Sequence, residues 1–119
     1  MFALHEAQAR GGDLVAVHAL SRQETRHDPP GLGSPAADAL LSAAVPAGTA
    51  LESGVVVHRH VVDGPAHHAL LQAAQHADLL VLGVRHRYGM AHRELRPTHH
   101  AALRQSPCPV ALVGVPWPT

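Results

Sequence analysis

The chain has 119 residues, of which 46% are hydrophobic but only 3% aromatic, so its core must be built from alanine, valine and leucine. Nine arginines balance nine acidic residues and there is no lysine, so the zero net charge gives no argument for binding nucleic acid or a membrane surface. The single cysteine, Cys108, excludes an internal disulfide framework. No apolar run approaches the roughly 20 residues of a membrane span. We therefore predict one soluble, cytoplasmic domain over residues 1–119.

The first half of the chain predicts a helix, a strand and a second helix. Residues 2–9 have helix-forming composition, and two glycines soon afterwards end this helix. The near-continuous apolar run Leu14–Leu20 predicts a strand that is buried on both faces. The polar stretch 21–35 is rich in Pro and Gly and predicts an irregular connection. Another helix is predicted over residues 36–45, where Pro46 ends or kinks it.

The second half continues the alternation. A Val-rich strand is predicted over Gly54–Val62, followed by a helix over residues 66–76. A buried strand over Leu79–Gly83 and a helix over residues 98–104 come next, and Val110–Val115 is the last strand. Strands that are separated by helices are joined by crossovers, so this order predicts an α/β fold with a parallel sheet. The chain opens in a helix, whereas a doubly wound domain normally opens in a strand.

Two sequence blocks resemble the universal stress protein family. One is VVDGPAHHALLQAAQHADLLVLG at residues 61–83, and the other is SPCPVALV at residues 106–113. The resemblance implies a five-stranded parallel sheet in the order 3-2-1-4-5, with helices on both faces. It also implies a dimer that often forms through the last strand. Most members of the family act in stress response or signalling rather than as enzymes with a defined turnover, and some of them bind ATP whereas others do not.

The family's first strand has no counterpart in this chain, so only four strands are visible. In the family this strand is central and is followed by an acidic residue that contacts adenine. Its loss would leave two interior edges without ladder partners, at a cost in unpaired backbone groups. Three explanations stay open: a shortened gene start or expressed fragment, direct pairing of the strands at Leu14–Leu20 and Leu79–Gly83, or a strand donated by another chain.

The loop after the third visible strand departs from the family's ATP-binding signature. That signature is Gly, two residues, Gly, nine residues, Gly, and then Ser or Thr. Only Gly83 matches, because the other three positions hold His86, Arg96 and Pro97. Glycine is needed where backbone amides must approach phosphate closely. Arg85 does match the family's arginine-containing start of the loop, so Gly83 and Arg85 are the candidate nucleotide contacts.

The same loop, residues 84–97, forms a basic segment on a neutral protein. It contains four of the nine arginines, two histidines and one acid. Two interpretations stay open. In one, guanidinium groups bind a small anion that glycine amides hold in the family, helped by the following helix N-terminus. In the other, the loop is a solvated segment that changed after ligand binding was lost.

The histidines and the cysteine predict no catalytic or metal site. His58 and His60 share one side of a strand, but the sequence supplies no third ligand with metal-site spacing. The pair His99–His100 diverges on its helix, and no base is placed beside Cys108.

We therefore expect a non-enzymatic stress-response module that forms a homodimer through Val110–Val115, holds no cofactor, and binds ATP weakly or not at all. The alternative is a nucleotide- or anion-binding sensor that uses Gly83, Arg85 and the basic loop 84–97.

Overall fold

The computed structural model describes residues 1–20, 35–86 and 95–116 as alternating helices and strands. The helices in this part of the chain are α1 (Phe2–Arg10), α2 (Pro35–Ala44), α3 (Ala47–Ser53), α4 (Ala66–Ala74) and α5 (Pro97–Gln105). The strands are β1 (Leu14–Leu20), β2 (Val57–Asp63), β3 (Leu80–His86) and β4 (Val110–Pro116). No helix among the described residues combines the length and apolarity that crossing a membrane requires.

The four strands form two parallel pairs. β1 pairs with β2, and β3 pairs with β4, each in a two-stranded sheet. The chain correspondingly divides into two compact units, Met1–Ala69 and Leu70–Thr119. The predicted α/β class with parallel strands is therefore confirmed. Neither sheet has a third strand among the described residues.

The first unit follows the predicted order, with one additional helix. β1 has the predicted bounds. Pro46 follows the end of α2, as predicted, and is also the N-cap residue of α3. The short α3 then ends at Gly54, which adopts a left-handed conformation with φ 75°. Glycine takes up this conformation without a steric penalty. The strand that was predicted from Gly54 therefore begins only at Val57.

In the second unit, β3 is longer than predicted. The sequence ended this strand at Gly83, but the parallel ladder with β4 continues through Arg85 and His86. The apolar pattern ends earlier than the pairing because backbone hydrogen bonds do not depend on side-chain polarity. Of the predicted basic loop, residues 87–94 lie outside the described residues, as do residues 21–34 of the predicted irregular connection.

Small aliphatic side chains build the interior of the first unit. Its buried apolar residues are Leu4, Ala7, Leu20, Ala37, Leu41, Val45, Ala50 and Ala69. All of them are alanine, valine or leucine, as the composition predicts. One apolar residue of β1, Val15, remains 50% exposed.

A side chain from β2 stabilises the end of α2. The Arg59 guanidinium donates a hydrogen bond to the carbonyl of Val45, the residue that follows α2. The Val45 amide itself donates to the Leu41 carbonyl, so Val45 continues the helical hydrogen bonding. Helix C-termini carry unpaired carbonyls and a partial negative charge, which a cation stabilises. Arg59 thus links β2 to the end of α2.

Replacing Arg59 by methionine is expected to lower the free energy of unfolding by about 1 kcal/mol. Methionine keeps the aliphatic part of the side chain but cannot donate to Val45. Urea denaturation of the purified chain measures the effect. His60→Gln, at an exposed position of the same strand, is the control and should change stability by less than about 0.5 kcal/mol. Equal losses in the two variants would contradict the proposed role of Arg59.

The interior of the second unit lies on one side of its sheet. Its buried cluster consists of Ala74, Leu80, Leu82 and Ala102, with Leu70, Cys108, Val110 and Leu112 packed against it. Val84, next on the same side of β3, is fully buried at 0% exposure. Cys108 is half-buried, and its amide and carbonyl both bond to the Ser106 hydroxyl. Cys108 therefore occupies a structural position before β4.

Candidate functional site

The candidate site lies where β3 ends and α5 begins. The carboxyl end of a parallel strand is the usual location of ligand sites in α/β proteins. The Leu80 amide donates to the Pro109 carbonyl at 3.0 Å, so Leu80 directs its backbone groups toward β4. Because this direction alternates along a strand, Leu82 and Val84 also bond to β4. The backbone of Gly83 therefore faces the opposite edge of β3.

His99 connects this edge to the start of α5. Its Nε2 lies 2.9 Å from the Gly83 carbonyl oxygen, and its Nδ1 accepts a hydrogen bond from the Arg96 amide at 2.9 Å. Since a carbonyl can only accept, Nε2 must carry the proton. Since an amide can only donate, Nδ1 must be bare. The two contacts together define a neutral imidazole with the proton on Nε2.

Two of the four backbone amides at the beginning of α5 cannot serve a ligand. Arg96 is the N-cap residue, in an extended conformation with φ −96° and ψ 169°, and Pro97 is the first helical residue. Proline has no amide hydrogen. The Arg96 amide already donates a hydrogen bond to His99. The Arg96 guanidinium can only donate hydrogen bonds, so it cannot accept one from an amide of the helix. His99 therefore provides the part of a capping box in which the third helical residue reaches back to the N-cap.

The structure places both predicted nucleotide contacts on β3. Gly83 faces the free edge with its carbonyl bonded to His99, and Arg85, which lies opposite Val115 in the register, directs its backbone groups to the same edge by alternation. The side chains of Arg85 and His86 lie outside the described residues. Arg96 and Pro97, at the last two signature positions, form the start of α5. The strand end and the helix start that the sequence treated as one loop are therefore close together, joined by a histidine.

The sequence analysis missed the role of His99. It considered His99 only as one of an adjacent pair of histidines and not as a cap. The available signal was Pro97, because proline at the first helical position places His99 third in the helix. That is the capping-box position, where an acceptor side chain is expected.

One of the two histidines on β2, His58, has a carboxylate neighbour. His58 Nε2 lies 3.0 Å from Asp13 Oδ2, and both side chains are about half exposed. Exposed ion pairs contribute little to stability because water screens them. Within residues 1–20, 35–86 and 95–116, no group of three His, Cys, Asp or Glu side chains is close enough together to hold a metal ion.

Comparison with known proteins gives one family and several similar folds. A model described as the universal stress protein family matches residues 1–114. A universal stress family protein from Burkholderia pseudomallei has a TM-score of 0.55 at 19% identity, over 94% of this chain and 81% of that one. The universal stress protein UspA from Lactobacillus plantarum has a TM-score of 0.59 at 20% identity, over 94% and 84%. At these identities the two structures support the fold alone. No curated protein sequence matches the chain.

Proposed function

Because this chain belongs to the universal stress protein family, we propose that it is a non-enzymatic stress-response module that forms a homodimer and binds ATP weakly or not at all. Membership of the family supports the stress-response role. The absence of catalytic turnover, the dimer and the weak binding are our proposals. We also propose a cytoplasmic location, since the free thiol of Cys108 suits a reducing compartment.

One observation carries the proposal of weak ATP binding. A helix N-terminus binds phosphate through amides that have no partner inside the helix. At the start of α5, Pro97 has no such amide, and the Arg96 amide donates to His99. Two backbone groups at the end of the signature loop are therefore withdrawn from a phosphate. Arginine and proline at these positions also add bulk where the family signature has glycine and a small hydroxyl residue.

The proposal of a non-enzymatic role is supported by the character of the pair that His58 on β2 forms with Asp13. His58 and Asp13 are both about half exposed. Catalytic acid–base pairs act in water-excluded sites, where their interaction is strong. An exposed pair of this kind lacks the low-dielectric surroundings that activate a catalytic group.

The proposed dimer uses the free edge of β4. Leu80 bonds to Pro109, so by alternation Ala111 and Val113 direct their backbone groups to β3. The backbone groups of Leu112 and Gly114 then face the other edge, where no strand is paired among the described residues. A second copy can satisfy them by pairing its own β4 across a two-fold axis.

The alternative function is a nucleotide- or anion-binding sensor that uses Gly83, Arg85 and the basic loop 84–97. The concentration of arginine in this part of the sequence favours it, as does its location after a parallel strand. In this alternative, ATP is the cofactor, and guanidinium groups make the phosphate contacts that backbone amides at the signature glycines make in the family.

Calorimetric titration of the full chain with ATP and magnesium is expected to show no saturable heat up to high micromolar ligand. The reason is the loss of amide donors at the start of α5. Circular dichroism and sedimentation of the same sample establish that it is folded and dimeric. The control is Arg85→Ala, which should give the same flat titration. Saturable binding in the micromolar range that Arg85→Ala abolishes would contradict the proposal and establish the sensor.

A further inference from the structure

We propose that His99 is a proton-sensitive latch that holds the start of α5 against the end of β3. Its imidazole makes two 2.9 Å contacts to backbone groups of different elements, the Gly83 carbonyl on β3 and the Arg96 amide at the N-cap of α5. Arg96 and His99 are close in sequence, but Gly83 is sixteen residues from His99. The ring therefore joins the two ends of the connection between β3 and α5.

Only the neutral ring can make both contacts. When a proton binds Nδ1, both ring nitrogens become donors. Nε2 can still donate to the Gly83 carbonyl, but Nδ1–H then points at the Arg96 amide, which is also a donor. The hydrogen bond between Nδ1 and Arg96 is lost, and two hydrogens face each other. Acidification therefore removes the hydrogen bond that caps α5. The ring is then held only by the hydrogen bond from Nε2 to the Gly83 carbonyl on β3.

The elements around His99 carry no carboxylate in the part of the chain that the structure describes, and Glu94, in the connection before α5, lies outside the described residues. α5 carries Arg96 at its N-cap and His100 next to His99, and β3 carries Arg85 and His86 beyond Gly83. No acidic residue occurs in α5, β3 or β4. The titratable and charged side chains on these three elements are therefore all histidines or arginines. These elements therefore supply no negative charge that would favour a proton on His99.

The test is residue-resolved amide exchange by NMR on the full chain, at about pH 7.5 and about pH 5, which bracket the range where histidines titrate. After correction for the intrinsic pH dependence of exchange, the Arg96 amide should exchange about five-fold faster at the lower pH. Long-range proton–nitrogen spectra at the higher pH should show His99 with its hydrogen on Nε2. The Nδ1–H form there would overturn the proposal.

Two substitutions separate the latch from other histidines. His99→Gln keeps an acceptor at the capping-box position that does not titrate, so its Arg96 amide should be protected equally at both pH values. His100→Gln should respond to pH as the wild type does. If the corrected exchange rate of the Arg96 amide in the wild type did not change with pH, the proposal would be overturned. A response that persists in His99→Gln would also overturn it, because another group such as His86 would then be responsible.

Discussion

Replacing Leu82 by alanine is expected to lower the free energy of unfolding by about 2–5 kcal/mol, the range of buried leucine-to-alanine changes. Leu82 is 9% exposed and belongs to the buried cluster with Ala74, Leu80 and Ala102. Its neighbours include two alanines, which cannot reach into the space that a lost leucine leaves. Typical domains unfold with only about 5–15 kcal/mol, so this single change would remove a large part of the stability. Urea denaturation with an unchanged slope measures it.

The matched control is Leu103→Ala. The substitution is the same, but Leu103 on α5 is 51% exposed. Its replacement should cost less than about 1 kcal/mol, since little apolar surface returns to water. If both variants lost the same stability, or if Leu82→Ala had no effect, the buried cluster of the second unit would be wrongly described. Should Leu82→Ala fail to fold, Leu82→Met preserves the volume and is expected to cost less than about 1.5 kcal/mol.

Replacing Gly114 by proline is expected to convert the proposed dimer into a monomer. The Gly114 amide faces the free edge of β4, so its loss removes no bond to β3 but takes one donor from each copy at the proposed interface. Two lost hydrogen bonds amount to about 2–4 kcal/mol, which weakens dimerisation by about 30- to 1,000-fold. Sedimentation velocity across a concentration series reports the change.

The control for this experiment is Gly114→Ala, which adds a side chain but retains the amide hydrogen. It should sediment as the wild type does, and circular dichroism should show the proline variant still folded. A dimer that persists in a folded Gly114→Pro variant would contradict pairing through β4. A wild type that is monomeric at high concentration would contradict the dimer itself.

The sequence could predict where a candidate site lies in the fold, but not the contacts that form there. The apolar strand before Gly83 and the basic residues after it predicted a loop at the carboxyl end of a parallel strand, and the failed signature positions predicted altered phosphate chemistry. The contact between His99 and the Gly83 carbonyl could not be foreseen, because it joins residues that are sixteen positions apart. Such a contact depends on how far β3 extends and where α5 begins, and neither bound follows from apolar periodicity alone.

The sequence by itself determined the α/β class, the order of the elements apart from α3, and the aliphatic interior. These properties follow from local composition, since alternating apolar runs and Gly or Pro punctuation act over a few residues. It also identified the family, through the blocks around residues 61–83 and 106–113. The tertiary structure decided the existence of α3 after Pro46, the extension of β3 to His86, and the contacts of His99. The physical reason is that strand length, helix capping and side-chain links to another element depend on backbone partners that are distant in the chain.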